Sequence, residues 1–181
     1  MRLAMLKSCK NFKTIESVSK MKITDATLAD LPEILRIEQL GFTAEEAGTA
    51  EQYQDRLARL AGTFLVAKEK HKLVGFVVGA ATQEPYVADW MFEHTPTNLP
   101  TGGHQLIYTI AIDPAYRGHG LGSRLLVALQ ERAQNAHRET LSLTSLERNV
   151  PFYLKNGFEN HGVANSTHAG EVWFNLVKPL Y

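Results

Sequence analysis

The sequence predicts a mixed α/β fold, with one central β-sheet of about seven strands flanked by about four helices. Three observations carry this. Apolar and β-branched runs alternate with stretches of helical period along the chain. Strands and helices follow one another in mixed order, which suits a sheet covered by helices. The stretch "RGHGLG", Arg117 to Gly122, joins an apolar run to an amphipathic one, a strand–turn–helix pattern.

"MKITDA", from Met21, reads as the first strand. Thr27 or Asp30 caps a first helix that runs to about Gln39 and is ended by Gly41, with Pro32 in its first turn. Leu28, Leu31, Leu35, Glu38 and Phe42 fall at steps of three and four, the spacing of one helical face. Thr49 and Gln52 form a capping box for a second helix over about 50–61. "TFLVAKE" and "KLVGFVVGAAT" read as a hairpin turned by the polar residues between them. Residues 83–104 hold three prolines without a clean period and read as a long, partly ordered insertion. "QLIYTIAI" is a strand buried on both faces. Leu121, Leu125, Leu126 and Leu129 stripe a helix to about 134. "TLSLTSL" is a strand, "RNVPFYLKNGF" a short helix ended by Gly157, and "FENHGVA" and "EVWFNLVKPL" a final strand pair.

At 181 residues the chain suits one domain, over 21–181. Residues 1–20 carry five basic side chains against one acidic, and read as a loosely packed extension without the apolar core of a signal peptide. The rest is slightly acidic, which opposes binding to a phosphate backbone, so no nucleic-acid partner is expected. No apolar run approaches the roughly 20 residues of a membrane span. The single cysteine, Cys9, fits a reducing, cytoplasmic setting. The seven histidines show no metal-ligand spacing, so no metal is expected. A monomer or a homodimer is anticipated.

A helix N-terminus preceded by glycines presents unpaired N–H groups and the positive end of the helix dipole, which suits a phosphate or diphosphate. "RGHGLG" lacks the GK[ST] ending of a P-loop, and its glycines at 118, 120 and 122 miss the dinucleotide spacing. "YRGHGLG" instead fits R-x-x-G-x-G and, within "IAIDPAYRGHGLGSRLL", resembles the pyrophosphate loop of the GNAT superfamily of N-acetyltransferases. "VPFYLKNGF" resembles that family's second signature, and the element order over 21–181 agrees. "AIDPAYRGHGLG", "VPFYLKNGF" and the acidic "IEQLGFTAEEAGTAEQYQDRL" look most like the arylalkylamine, or serotonin-type, members.

The resemblance implies a sheet whose fourth and fifth strands splay to admit the pantetheine arm of acetyl-CoA. It implies that Ile110, Ala111 and Ile112 lie beside that arm, and that Arg117, Gly118, His119, Gly120, Leu121, Gly122 and Ser123 hold the pyrophosphate, with Asn149 and Phe152 also at the cofactor. It implies that Tyr153 protonates the departing thiolate. The vertebrate histidine pair has no counterpart, because Leu106 and Tyr108 stand at those positions. The base is therefore sought among Glu38, on the apolar helical face where burial raises a carboxyl's pKa, Glu46 in the acidic segment, and His104. Phe42, Glu45, Tyr108 and Trp90, with Tyr86, Met91, Phe92, Asp89 and Glu93, are expected to wall a pocket for a small cationic amine with an apolar body. Alternatives are acetylation of protein N-termini or lysines, which needs an open groove, and a coenzyme A sensor without turnover.

Overall fold

β-Branched and aromatic runs become strands where they can pair, and four of them form the first sheet. In the computed structural model, which describes residues 21–44, 47–166 and 170–181, β1 is Lys22–Asp25, β2 Phe64–Glu69, β3 Lys72–Val78 and β6 Thr109–Ile112. They pair antiparallel in the order β1-β2-β3-β6. The second sheet holds β4 (Ala81–Thr82), β5 (His104–Ile107), β7 (Thr140–Leu146), β8 (Glu159–Val163) and β9 (Trp173–Pro179), in the order β4-β5-β7-β9-β8. Among the described residues, only β5 and β7 pair in parallel. The mixed α/β class with splayed strands is therefore what the structure shows.

Two expected strands are each broken once. "KLVGFVVGAAT" divides after Val78, and "QLIYTIAI" divides at Tyr108. The breaks face each other, since the Tyr108 N–H donates to Val78 O at 2.8 Å and the Leu106 N–H to Ala80 O at 2.8 Å. Before the break the strand pairs with β7. Beyond it, β6 pairs with β3 alone and is the edge of its sheet. A bulge of this kind turns a strand away from a neighbour, and a gap opens between β6 and β7.

Five α-helices cover the sheets among the described residues: α1 Leu31–Gly41, α2 Ala50–Arg59, α3 Trp90–Glu93, α4 Leu121–Asn135 and α5 Val150–Lys155. The expected Thr49–Gln52 capping box opens α2. Thr27 caps a 3₁₀ turn over Leu28–Asp30 that leads into α1, its N–H and hydroxyl each donating to Asp30 Oδ2 at 3.0 Å. That tighter turn rotates the expected apolar face: Ile34, Ile37 and Glu38 are buried, whereas Leu28 is exposed. The α4 stripe of Leu121, Leu125, Leu126 and Leu129 is buried as expected. It forms one core with Leu65, Val77, Ile107, Leu143 and Tyr153. A second core lies under α1 and α2, around Ile34, Ile37, Tyr53, Phe64 and Phe76.

The insertion is fixed along its length. The Leu99 N–H donates to Ala81 O and the Gly102 N–H to Ala136 O, both at 2.9 Å, and Arg138 Nη2 donates to Leu99 O at 2.6 Å. Val87 and Met91 bury against Leu106, with Phe92 and Tyr108 at the rim. No helix among the described residues is long and apolar enough to cross a membrane.

Candidate functional site

The gap begins where β6 leaves its neighbour. The Asp113 N–H donates to Val74 O at 2.9 Å. In an antiparallel ladder, bonded and non-bonded pairs alternate. Thr109 and Ala111 therefore bond to β3, and the main-chain groups of Ile110 and Ile112 turn toward the gap. The Ile110 N–H and carbonyl and the Ile112 N–H thus offer main-chain hydrogen bonds to an extended polar chain.

At the far end the chain bends on Asp113. Its Oδ1 accepts from the Ala115 N–H at 3.0 Å, and its Oδ2 lies 3.1 Å from Arg36 Nη2 and 3.7 Å from Lys72 Nζ. Burial pushes the carboxyl upward. The Ala115 N–H and the two cations outweigh burial and hold it below the usual range. Arg117 folds back, its Nε donating to Ile112 O at 3.1 Å.

The three loop glycines meet two different demands. Gly118 and Gly120 have φ of +78° and +81°, with open space where a Cβ would stand, so backbone conformation selects glycine there. Gly122 is in the first turn of α4, and a Cβ on it would lie 3.1 Å from Phe152 Cζ, so packing selects it. Gly120 is the N-cap residue of α4, whose first turn leaves the N–H groups of Leu121, Gly122 and Ser123 without intrahelical partners. His119 Nδ1, between the positive-φ glycines, is buried without a hydrogen-bond partner among the described residues. Donors gathered on one exposed turn fit a diphosphate.

Phe152 and Tyr153 sit on α5, with Asn149 as the residue before it. Tyr153 is packed edge-on between Phe152, at 5.0 Å between ring centroids, and Phe158, at 5.6 Å. Burial pushes its phenol well above the ordinary range, so it is protonated at neutral pH and can act only as a donor of that proton.

On the α1–α2 side of the break lies a buried polar cluster. Glu38 is 2% exposed, and its Oε1 accepts from the Gly48 N–H at 3.0 Å. Burial raises its carboxyl, opposed by the Gly48 N–H, the Tyr53 hydroxyl and the charge of Arg56. The Tyr53 hydroxyl also lies 3.5 Å from Thr109 Oγ1, just beyond the break. Tyr108 stands over this group, its phenol pushed upward by burial. Tyr53 and Arg56 escaped the sequence reading. The available signal was position: Arg56 follows Tyr53 by three residues and precedes Leu60 by four, on the buried face of α2.

The other expected residues are placed as follows. Phe42 ends α1, half-buried against the second core. Trp90 is 51% exposed, while its neighbour Met91 points inward. His104 lies at the start of β5, away from the break, with Nδ1 3.0 Å from Thr140 Oγ1. Glu45 and Glu46, and the extension 1–20, lie outside the described residues.

The insertion roofs the face that Tyr108 shares with the cluster. The Gln52 amide donates to Phe92 O at 3.0 Å, the Ser166 hydroxyl to Asp89 Oδ1 at 2.6 Å, and the Tyr86 hydroxyl stands 3.2 Å from His161 Nδ1. A separate cavity of about 290 Å³ lies between the start of the insertion and the β8–β9 side, lined in part by Glu84, Tyr86, Asn165 and Asn175 and by none of the residues of the cluster.

Residues 61–160 match the family model described as an acetyltransferase (GNAT) domain. A glucosamine 6-phosphate N-acetyltransferase of Trypanosoma brucei brucei is 41% identical over 59 residues, 33% of this chain and 39% of that protein. The chain spans 34% and 39% of the length of the curated relatives it matches. The loading GNATL domain of CurA from Lyngbya majuscula superposes with a TM-score of 0.76 at 15% identity, over 88% of this chain and 98% of that one. The ribosomal-protein-S18-alanine N-acetyltransferase of Escherichia coli gives 0.66 at 18%, over 88% and 94%. At these identities the two structures speak to the fold alone.

Proposed function

Because the chain belongs to the acetyltransferase (GNAT) domain family, we propose that it transfers acetyl from acetyl-CoA to the primary amine of a small molecule, an aryl- or alkylamine. The observation that carries the acceptor class is the roof: an insertion tied to α2 on one side and to the β8–β9 connection on the other narrows the approach to the break.

The residues fit acetyl-CoA. Ile110 and Ile112 offer main-chain groups along the gap, and the turn from Arg117 to Ser123 offers N–H donors and a buried, unpartnered His119 nitrogen for the diphosphate. When bound, acetyl-CoA supplies an acetyl group on a good leaving thiolate.

The chain's own side chains handle the protons. An alkylammonium with a pKa near 10.4 is only about one part in a few thousand neutral at pH 7, so the acceptor has to lose a proton. Glu38, buried beside the break, takes it as general base. The N–H groups of β6 that face the gap stabilise the negative charge gathering on the acetyl oxygen. Tyr153 gives its phenolic proton to the departing sulfur. Glu46 remains a second candidate base, and Glu45 a candidate acceptor contact.

A second reading, acetylation of a polypeptide N-terminus, is favoured by the likeness to the S18-alanine N-acetyltransferase. Comparing kcat/KM for arylalkylamines, polyamines and N-terminal peptides decides between them. The small-amine reading requires small amines to lead by at least about tenfold, and a lead for peptides overturns it. Tight coenzyme A binding with no acceptor acetylated would instead indicate a sensor.

A further inference from the structure

Arg56 is 2% exposed, and arginine is almost never so buried unless paired. Its guanidinium lies 5.0 Å from the Tyr53 ring centroid and 5.7 Å from that of Tyr108, so it bridges α2 and the break in the sheet. Its Nε has no hydrogen-bond partner among the described residues, and neither have Glu38 Oε2 and the Tyr108 hydroxyl. Three buried polar atoms of one cluster are thus left with unspent hydrogen-bonding capacity. A cluster serving only stability would be satisfied, or replaced by apolar packing, because unpaired buried polar groups are costly.

Arginine keeps its proton at any working pH. Gly48 brings Arg56 close to Glu38: the Gly48 N–H donates to Glu38 Oε1 at 3.0 Å, and a Cβ on Gly48 would stand 3.3 Å from Arg56 Nη1, so a fixed positive charge lies near a carboxylate that burial works to neutralise. Among the described residues, the polar groups set against Glu38 are the Gly48 N–H from the loop and Tyr53 and Arg56 from α2. Thr109 joins through the Tyr53 hydroxyl, and Tyr108 faces the cluster through Arg56.

We propose that Arg56 is a positioning residue for the transfer: it holds the buried Glu38 as a carboxylate and seats the Tyr108 ring at the break. The inference rests on Glu38 receiving the acceptor's proton. In that step the N–H bond of the acceptor ammonium breaks, its electron pair stays on nitrogen, and an O–H bond forms on Glu38. Arg56 exchanges no proton.

The test compares wild type with Arg56→Met and Arg56→Lys by two readouts. The first is the Glu38 titration, followed by carbon NMR of the labelled carboxyl in protein without acceptor, with Glu38→Gln to assign the signal. The second is the acidic limb of the pH profile of kcat/KM. Losing the guanidinium moves the Glu38 midpoint and the acidic limb upward together. Arg56→Lys restores most of both, and coenzyme A affinity stays unchanged. A folded Arg56→Met with an unmoved Glu38 midpoint overturns the proposal, as does a fall in rate without movement of the limb. Should Arg56→Met not fold, Arg56→Gln against Arg56→Lys makes the same comparison. If the midpoint moves while wild type acetylates no amine, the reading of the acceptor fails and the electrostatic hold on Glu38 stands.

Discussion

The backbone of Gly79 lies against that of Leu106: a Cβ added at Gly79 would run into the Leu106 carbonyl and stand 2.8 Å from the Ile107 Cα. This contact sits where both strands break, so it marks the point at which the chain leaves β7 and continues as β6. The obstacle is backbone, which cannot rotate aside as a side chain can. Gly79→Ala is expected to cost about 3 kcal/mol, at the upper end for overpacking. Urea unfolding would read this as a lower midpoint. An unchanged midpoint would mean that the two strands separate freely at the break.

Gly120 gives a prediction on binding. Alanine at its φ of +81° is strained by roughly 1–2 kcal/mol and would reshape the turn that opens α4. Calorimetric titration of Gly120→Ala with coenzyme A is expected to show affinity lowered about tenfold. The folded chain bears the same strain without coenzyme A, so the urea midpoint should fall too, by the equivalent of roughly 1–2 kcal/mol.

Tyr153→Phe removes only a hydroxyl from a ring held between Phe152 and Phe158. Packing is retained, so the melting temperature and coenzyme A affinity should hold. Loss of a positioned acid is expected to lower kcat about 100-fold. A variant with undiminished kcat would move the acid role elsewhere.

Asp113 couples the bend to pH. Its carboxyl is held below the usual range in the folded chain. The stabilisation is therefore present above the ordinary carboxylate pKa and lost as pH falls through the lower, folded-state value. Chemical denaturation of wild type and Asp113→Asn from pH 7 to pH 3 should show the stability advantage of wild type shrinking at the acid end. A difference constant across that span would mean that Arg36 and Lys72 do not act through charge.

The sequence carried the parts of the fold that local chemistry decides. Thr49 and Gln52 announced the start of α2, and the glycines at 118, 120 and 122 announced the turn before α4. The break at Tyr108 was hidden because "QLIYTIAI" is uniformly apolar, and nothing in it distinguishes a continuous strand from one that changes partners midway. Gly79 was the available hint, on the opposite strand. Glu38 was legible as a carboxylate on an apolar helical face, although the 3₁₀ turn before α1 shifted which leucines and isoleucines accompany it inward. Arg56 was harder to read. In "QYQDRLARL" two arginines stand three apart, and the spacing of Arg56 from Tyr53 and Leu60 is the signal that sets it on the buried face, apart from Arg59, which is exposed and paired with Asp55 at 2.6 Å.

The measurement that tests the central claim most directly is a titration of isotope-labelled protein with acetyl-CoA, followed through backbone amide resonances. The largest shifts are expected on Ile110, Ile112 and residues 118–123, where the gap and the glycine turn present their N–H groups. Binding that shifts other surfaces and leaves these amides still would contradict it.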